Sequence, residues 1–203
     1  RRVNSRRVQA RQTLSEHYRG DAVNNPVWRF TTAEYEYPEP LVPPVNREID
    51  EYDNSYTDFG NTNIGIQFTD LNPYQVITVI LFGEKPEGNS PDGIDNIAPR
   101  FWNITSTEGE SPGLYNITIN IEDIPGIANP ARLYLLKRDS PSSPWTNIGY
   151  PDLVQPDPEF GPLLTWVGLS SFSDFALGGN NEDGNTLPVE LSSFTIGLTA
   201  QMY

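Results

Sequence analysis

Apolar and polar residues alternate in short stretches from about residue 60 onward, and this period of two is typical of half-buried β-strands. The stretch NIGIQF (63–68) places Ile64, Ile66 and Phe68 on one face, and LYNITINI (114–121) repeats the pattern. VITVILF (76–82) has apolar residues on both faces of the strand, which predicts a central strand covered on both sides. The same reasoning predicts further strands at FWNIT, RLYLLKR, WTNIGY, LLTWVGL and SFSDFALGG.

Turn-forming residues separate these stretches, and no interval between them carries a helical period. The sequence therefore predicts an all-β fold, an antiparallel β-sandwich of the immunoglobulin-like or jelly-roll-like kind. We predict an extended N-terminal arm over residues 1–59, the sandwich over 60–180, and a C-terminal linker and strand over 181–203. Closely spaced prolines between Pro38 and Pro44 favour extended polyproline geometry in the arm.

Composition narrows the class of protein. Absence of cysteine from the 203 residues excludes disulfides, thiolate zinc sites and cysteine nucleophiles. Six of the thirteen basic residues lie in the first nineteen, so the rest of the chain carries a net charge of −19. Such an acidic body repels nucleic acid and anionic lipid, and no apolar run reaches membrane-spanning length. The chain begins with arginine and has no signal-peptide core, so we expect a mature or excised portion of a longer product.

The sequence contains no convincing set of catalytic residues. The single histidine, His17, lies in the basic arm without the rigid surroundings that a catalytic relay requires. Asp152, Asp157 and Glu159 are carboxylates in a proline-rich loop, and no recognisable helper group accompanies them. We therefore predict that the protein is not an enzyme.

The sequence leaves two other kinds of site open, a calcium site and a sugar-binding surface. The loops SPDGIDN (90–96) and NNEDGN (180–185) carry oxygen ligands that suit calcium, but we favour solvated turns, in which Asp and Asn fit the backbone geometry, and no cofactor is predicted. Trp102, Trp145 and Trp166 lie on or beside predicted strands, where they either stack on sugars or fill the core.

The strand order carries a family resemblance. The segments RFWNIT, LYNITINI, RLYLLKR, LTWVGLSSFSDFALGG and LPVELSSFT follow one another between about residues 60 and 196. They resemble β-sandwich modules of secreted proteins from Bacteroidetes-type bacteria, in which the last segment leads to a sorting region for type IX secretion. The resemblance implies extracellular or cell-surface residence and no particular activity. The N-terminal arm and the end at Tyr203 depart from that pattern.

Both ends of the chain carry strand-like patterns that suggest how it associates. We predict a structural subunit or module of an extracellular assembly, such as a filament, held by strand or arm exchange with other copies or other surface proteins. The candidate interface residues are Tyr35, Tyr37, Leu41 and Val42 in the arm, with Phe194, Ile196 and Leu198 in the C-terminal strand. One alternative is that the C-terminal strand completes its own sheet. Another is that the protein is a carbohydrate-binding or adhesive module of a larger secreted protein.

Overall fold

Eleven antiparallel strands form two sheets in the computed structural model, which describes residues 37–70, 73–107, 113–157 and 161–188. The strands are β1 (Val45–Ile49), β2 (Tyr56–Asp58), β3 (Ile64–Phe68), β4 (Gln75–Phe82), β5 (Asn96–Ser106), β6 (Tyr115–Asn120), β7 (Tyr134–Arg138), β8 (Thr146–Gly149), β9 (Leu153–Gln155), β10 (Leu163–Leu169) and β11 (Asp174–Gly179). The six-stranded sheet has the order β1-β4-β5-β11-β7-β8, and the five-stranded sheet has the order β2-β3-β6-β10-β9. The predicted antiparallel β-sandwich is confirmed.

Helical structure in these ranges is limited to three short 3-10 turns, at Gly60–Thr62, Pro130–Arg132 and Asn181–Asp183. In the same ranges, no helix combines the length and the apolar character that crossing a bilayer requires.

The core between the sheets follows from the alternating pattern. Ile64 and Ile66 of β3 face Ile119 and Ile117 of β6, and all four side chains are buried. Burial of one such side chain stabilises the fold by about 1.5–3 kcal/mol. Trp102, Trp145 and Trp166 are buried as well, which matches the core alternative and removes them as exposed sugar platforms.

A second apolar cluster lies on the outer face of the six-stranded sheet. Phe82 and Phe101 stack there with ring centroids 4.6 Å apart. Ile94 from the β4–β5 loop and Trp145 pack into the same cluster, so these loop residues cover the sheet. As a result β11, near the middle of the sheet, is buried at every residue.

The sequence predicts two-sided burial for β4, and there the structure differs. Ile77, Val79 and Leu81 face the inner core, whereas Val76 and Ile80 on the opposite face are only half-buried. The reason is that the covering loop reaches the Phe82 end of β4 but not its start. β4 is nevertheless an interior strand, because it pairs with β1 on one side and β5 on the other.

The sandwich also extends past the predicted boundaries at residues 60 and 180. β1 and β2 precede residue 60 and form one edge of each sheet. At the other end Leu187 is buried, and the Asn185 side chain both accepts from and donates to the backbone of Asn129 at 2.9 Å. The described part of the predicted linker therefore packs on the body.

Candidate functional site

The N-terminal strand and its seat on β4 form the arrangement with the clearest capacity for association. β1 pairs antiparallel with β4, with Val45 opposite Val79 and Ile49 opposite Gln75. Upstream of β1, Pro40 forms a bridge with Phe82, and the Leu41 N–H donates to the Leu81 carbonyl at 2.8 Å. Residues 40–49 thus follow β4 along nearly its whole length.

Side chains of this segment fill the inner core at intervals. Ile49 is fully buried, and Val42 and Val45 are half-buried against the same cluster. Main-chain pairing combined with apolar side chains in pockets is the mode by which an extended peptide binds a sheet edge. We call residues 40–49 the exchange segment.

Hydrogen bonds on the two sides of β4 show which backbone groups remain at the outer edge of β1. Val76 turns its backbone toward β5, since its carbonyl accepts from the Thr107 N–H at 3.1 Å and its N–H donates to the Thr107 hydroxyl. The Leu81 carbonyl turns the other way and accepts from Leu41. Because antiparallel ladders alternate, odd-numbered residues of β4 bond to β1, and even-numbered residues of β1 direct their backbone groups outward.

Arg47 covers this open edge. Its Nε donates to the Asp58 carbonyl of β2 at 3.1 Å, and its Nη1 donates to the Asn46 carbonyl at 3.3 Å. One guanidinium therefore joins the edge strands of the two sheets and occupies an outward-facing carbonyl of β1. Charged side chains at an edge protect it against unwanted strand addition. A shallow groove of about 410 Å³ lies alongside, lined by residues 42–47 together with Gly60 and Asn61.

A tight link joins β1 to β2 across the two sheets, and we call residues 50–55 the hinge. Tyr52 has a φ of 65°, a left-handed conformation that side chains with a Cβ adopt only at a cost. The Asp53 N–H donates to the Asp50 carbonyl at 3.1 Å, and an Asp53 carboxylate oxygen accepts from the Ser55 N–H at 2.8 Å. That backbone hydrogen bond holds the pKa of Asp53 below its usual value.

The predicted interface residues fall partly on this arrangement. Leu41 and Val42 belong to the exchange segment, where Leu41 keeps an exposed side chain and Val42 is half-buried. Tyr37 has an exposed side chain. The other predicted interface residues, Tyr35, Phe194, Ile196 and Leu198, lie outside the described residues.

A buried ion pair is the strongest charged constellation in the described part of the chain. The Arg138 Nε donates to an Asp174 carboxylate oxygen at 2.9 Å, and both side chains are almost fully buried. Nη1 of Arg138 donates to the carbonyls of Glu87 and Pro141, and its guanidinium lies 4.5 Å from the Trp145 ring centroid. This arginine therefore fastens two covering loops to the sheet, which is a structural role.

The two loops considered for calcium do come together. The Asn181 N–H donates to an Asp95 carboxylate oxygen at 2.9 Å, and the Asn96 amide donates to the Asn181 side-chain oxygen at 2.8 Å. These oxygens therefore serve loop-to-loop hydrogen bonds. Within the described residues, no group of three or more His, Cys, Asp or Glu side chains is placed to hold a metal ion.

One of the carboxylates weighed for catalysis has a defined structural contact. The Asp152 side chain accepts from the Val167 N–H at 2.9 Å, and this hydrogen bond ties the start of β9 to β10. Glu159 lies outside the described residues, as does His17. Comparison of the chain with protein-family models, with curated proteins and with solved structures gives no match.

Sequence reasoning missed β1 as a strand and Arg47 as its cover. The signal was present, since Val45, Arg47 and Ile49 alternate with Asn46 and Glu48. It is short, however, and prolines precede it while acidic residues follow it. Arg47 lies between Val45 and Ile49 on the same face of the strand. Because a half-buried strand usually has an apolar residue at such a position, the charge of Arg47 hides the period of two.

Proposed function

We propose that this chain is a non-catalytic structural module of an extracellular bacterial assembly, in which neighbouring copies exchange residues 40–49. The observation that carries the proposal is the seat of the exchange segment on β4. The segment is an edge strand near the N-terminal side of the sandwich, and it is held by backbone pairing and three apolar side chains. The same pairing and packing form equally well when the segment comes from another copy.

Such an exchange replaces each contact of the segment with an identical contact between copies. Every hydrogen bond and apolar packing interaction that the segment makes within one chain forms again between two chains. The net change in free energy is therefore confined to the hinge and to the entropy of association. The left-handed Tyr52 stores strain in the hinge, and an extended hinge releases it. Exchange that does not close a ring produces a fibre.

Extracellular residence is what the family resemblance implies, and the composition of the chain is compatible with it. A chain without cysteine has no disulfide to strengthen it outside the cell, so strand pairing between copies supplies toughness instead. Arg47 fits the same picture, since a covered outer edge limits pairing with unrelated strands while the exchange segment stays specific.

The absence of cysteine also provides the test. Asn46 on β1 and Thr78 on β4 lie opposite each other, with their side-chain oxygens 2.7 Å apart. Two single variants, Asn46→Cys and Thr78→Cys, are purified separately, mixed, refolded together and mildly oxidised. We expect a disulfide-linked dimer containing one chain of each kind, because the two cysteines meet only when β1 of one chain pairs with β4 of the other.

A matched pair on interior strands serves as the control. Thr118 and Thr165 lie opposite each other on β6 and β10 with their hydroxyls 2.9 Å apart, and neither strand is at a sheet edge. Mixed Thr118→Cys and Thr165→Cys chains should form only the background level of linked dimer. If the β1–β4 mixture gives no more dimer than this control, strand exchange is refuted.

A further inference from the structure

The outer face of the five-stranded sheet lacks the cover that the other sheet has. Its central cross-strand row contains one residue from each strand, paired in order, and we call it the middle row: Asp58, Gly65, Thr118, Thr165 and Leu153. No residue of the second apolar cluster, which is built from the described part of the chain, lies on this sheet. The middle row therefore lies on the outer face, where its end residues Asp58 and Leu153 are exposed, Thr165 is half-buried, and Gly65 and Thr118 are buried.

The shape of this face is a shallow trough. The Thr118 and Thr165 side chains are short and their hydroxyls hydrogen-bond each other, so the floor is low at the centre. Longer side chains flank the floor, with Gln67 and Asn116 in the row on one side. Asn120, Leu163 and Gln155 form the row on the other side. Four interstrand spacings give the trough a length of about 19 Å.

Tyr56 provides an aromatic surface at one end of the trough. Its phenol rests on the Gly65 backbone, because the hydroxyl occupies the space that a Cβ on Gly65 would need. The residue is still 53% exposed, so part of the ring remains in solvent. Burial of the hydroxyl, and then the nearby Asp58 carboxylate, raise the pKa of Tyr56, which keeps the phenol neutral.

The walls carry polar groups of fixed orientation. The Asn116 side-chain oxygen accepts from the Gly168 N–H at 3.2 Å, and the Asn120 side-chain oxygen accepts from the Glu122 N–H at 2.9 Å. Each of these hydrogen bonds uses the amide oxygen. The NH₂ group of each amide has no hydrogen-bond partner within the described residues. Both amide groups are thus free to donate to a ligand.

The charge of the face indicates what kind of ligand it suits. No lysine or arginine belongs to the three rows, and the chain as a whole carries a net charge of −14, so anionic polymers are repelled. Amide donors, hydroxyls and one aromatic face match the hydroxyls and the C–H faces of neutral sugars. We propose that this trough binds a neutral polysaccharide chain lying across the strands, with Tyr56 stacked on a sugar ring.

The test is binding to soluble neutral polysaccharides, with xylan, mixed-linkage β-glucan, glucomannan and dextran as probes in affinity electrophoresis. Tyr74 offers a matched control because it is also about half exposed but lies before β4 of the other sheet. Tyr56→Ala should weaken binding about tenfold, the order that an aromatic contact supplies. Tyr56→Phe and Tyr74→Ala should bind as the unaltered chain does.

A second variant separates a binding defect from misfolding. Gln155→Ala removes an exposed wall side chain of β9, and it should weaken binding while leaving the thermal unfolding midpoint in place. The proposal is overturned if no neutral probe binds, if only the anionic probe alginate binds, or if Tyr74→Ala weakens binding as much as Tyr56→Ala. The strand-exchange test reads the yield of disulfide-linked dimer and not polysaccharide binding, so these outcomes and the outcome of that test are distinguishable.

Discussion

The hinge between β1 and β2 makes the strand-exchange proposal quantitatively testable through Tyr52. Its left-handed backbone costs about 1–2 kcal/mol for a residue with a Cβ. Glycine adopts this conformation freely but gives up about 0.5–1 kcal/mol more backbone entropy on folding. The Tyr52 side chain is 60% exposed, so its removal sacrifices little burial. Tyr52→Gly should therefore stabilise the monomer by about 0.5–1 kcal/mol.

The same change should suppress exchange. Tyr52→Gly removes about 1–2 kcal/mol of strain that otherwise favours extension of the hinge. This change in free energy lowers the exchange equilibrium constant by a factor of about 5 to 30. The assay combines urea unfolding, which reports stability through the midpoint at constant slope, with the yield of linked dimer from mixed Asn46→Cys and Thr78→Cys chains. Both chains of the mixture carry Tyr52→Gly.

Asn63 supplies the control for this experiment. It also has a positive φ, 61°, but asparagine tolerates that conformation and the residue lies outside the hinge. Asn63→Gly should therefore change neither the stability nor the dimer yield appreciably. The reasoning fails if Tyr52→Gly lowers stability, or if it reduces dimer yield no more than Asn63→Gly does.

Two further predictions concern carboxylates. Asp174→Ala should cost about 3–5 kcal/mol because it leaves the Arg138 charge buried without its carboxylate partner. Asp139→Ala, which removes a 79% exposed carboxylate paired with Lys137, should shift the urea midpoint far less, and equal shifts would contradict the assigned roles. Asp53 has a lowered pKa in the folded chain, so its contribution is complete above its ordinary value of 3.8 and is lost as the pH falls through the lower folded value. The stability difference between the unaltered chain and Asp53→Asn should therefore shrink over that acidic window, and a constant difference across pH would show that the hinge hydrogen bond is not responsible.

Much of the fold could be predicted because the inner core obeys a period of two. β3 and β6 present alternating isoleucines to one side, and a one-residue slip would expose all of them, so their register is strongly fixed. Which strand is covered on both faces was harder to predict. That property depends on where the β4–β5 loop folds back and on the buried Arg138, which are long-range interactions that a local pattern does not contain.

The candidate sites were less accessible from sequence for the same kind of reason. The pattern of the arm indicates a segment that pairs with a sheet, but not its partner strand, because pairing between residues 45 and 79 leaves no local trace. The trough depends on Gly65 lying beneath Tyr56, two residues on different strands. Glycine inside a strand does signal a close approach, and that signal at residue 65 was the available hint.

The two proposed activities reinforce each other through the arrangement of the strands. The exchange segment belongs to an edge of the six-stranded sheet, while the trough lies on the outer face of the five-stranded sheet, so the proposed exchange does not use the trough as its contact surface. A linear array of copies then presents many troughs, and a polysaccharide that engages several of them gains avidity although each individual site is unchanged. The hinge ends at Ser55, directly before Tyr56, and the Gln67 amide in the trough wall donates to the Asn54 carbonyl of the hinge at 3.2 Å. The proposed exchange and the proposed sugar binding would therefore share this segment, and if exchange rearranges it, thermodynamic linkage requires each to alter the other in equal measure.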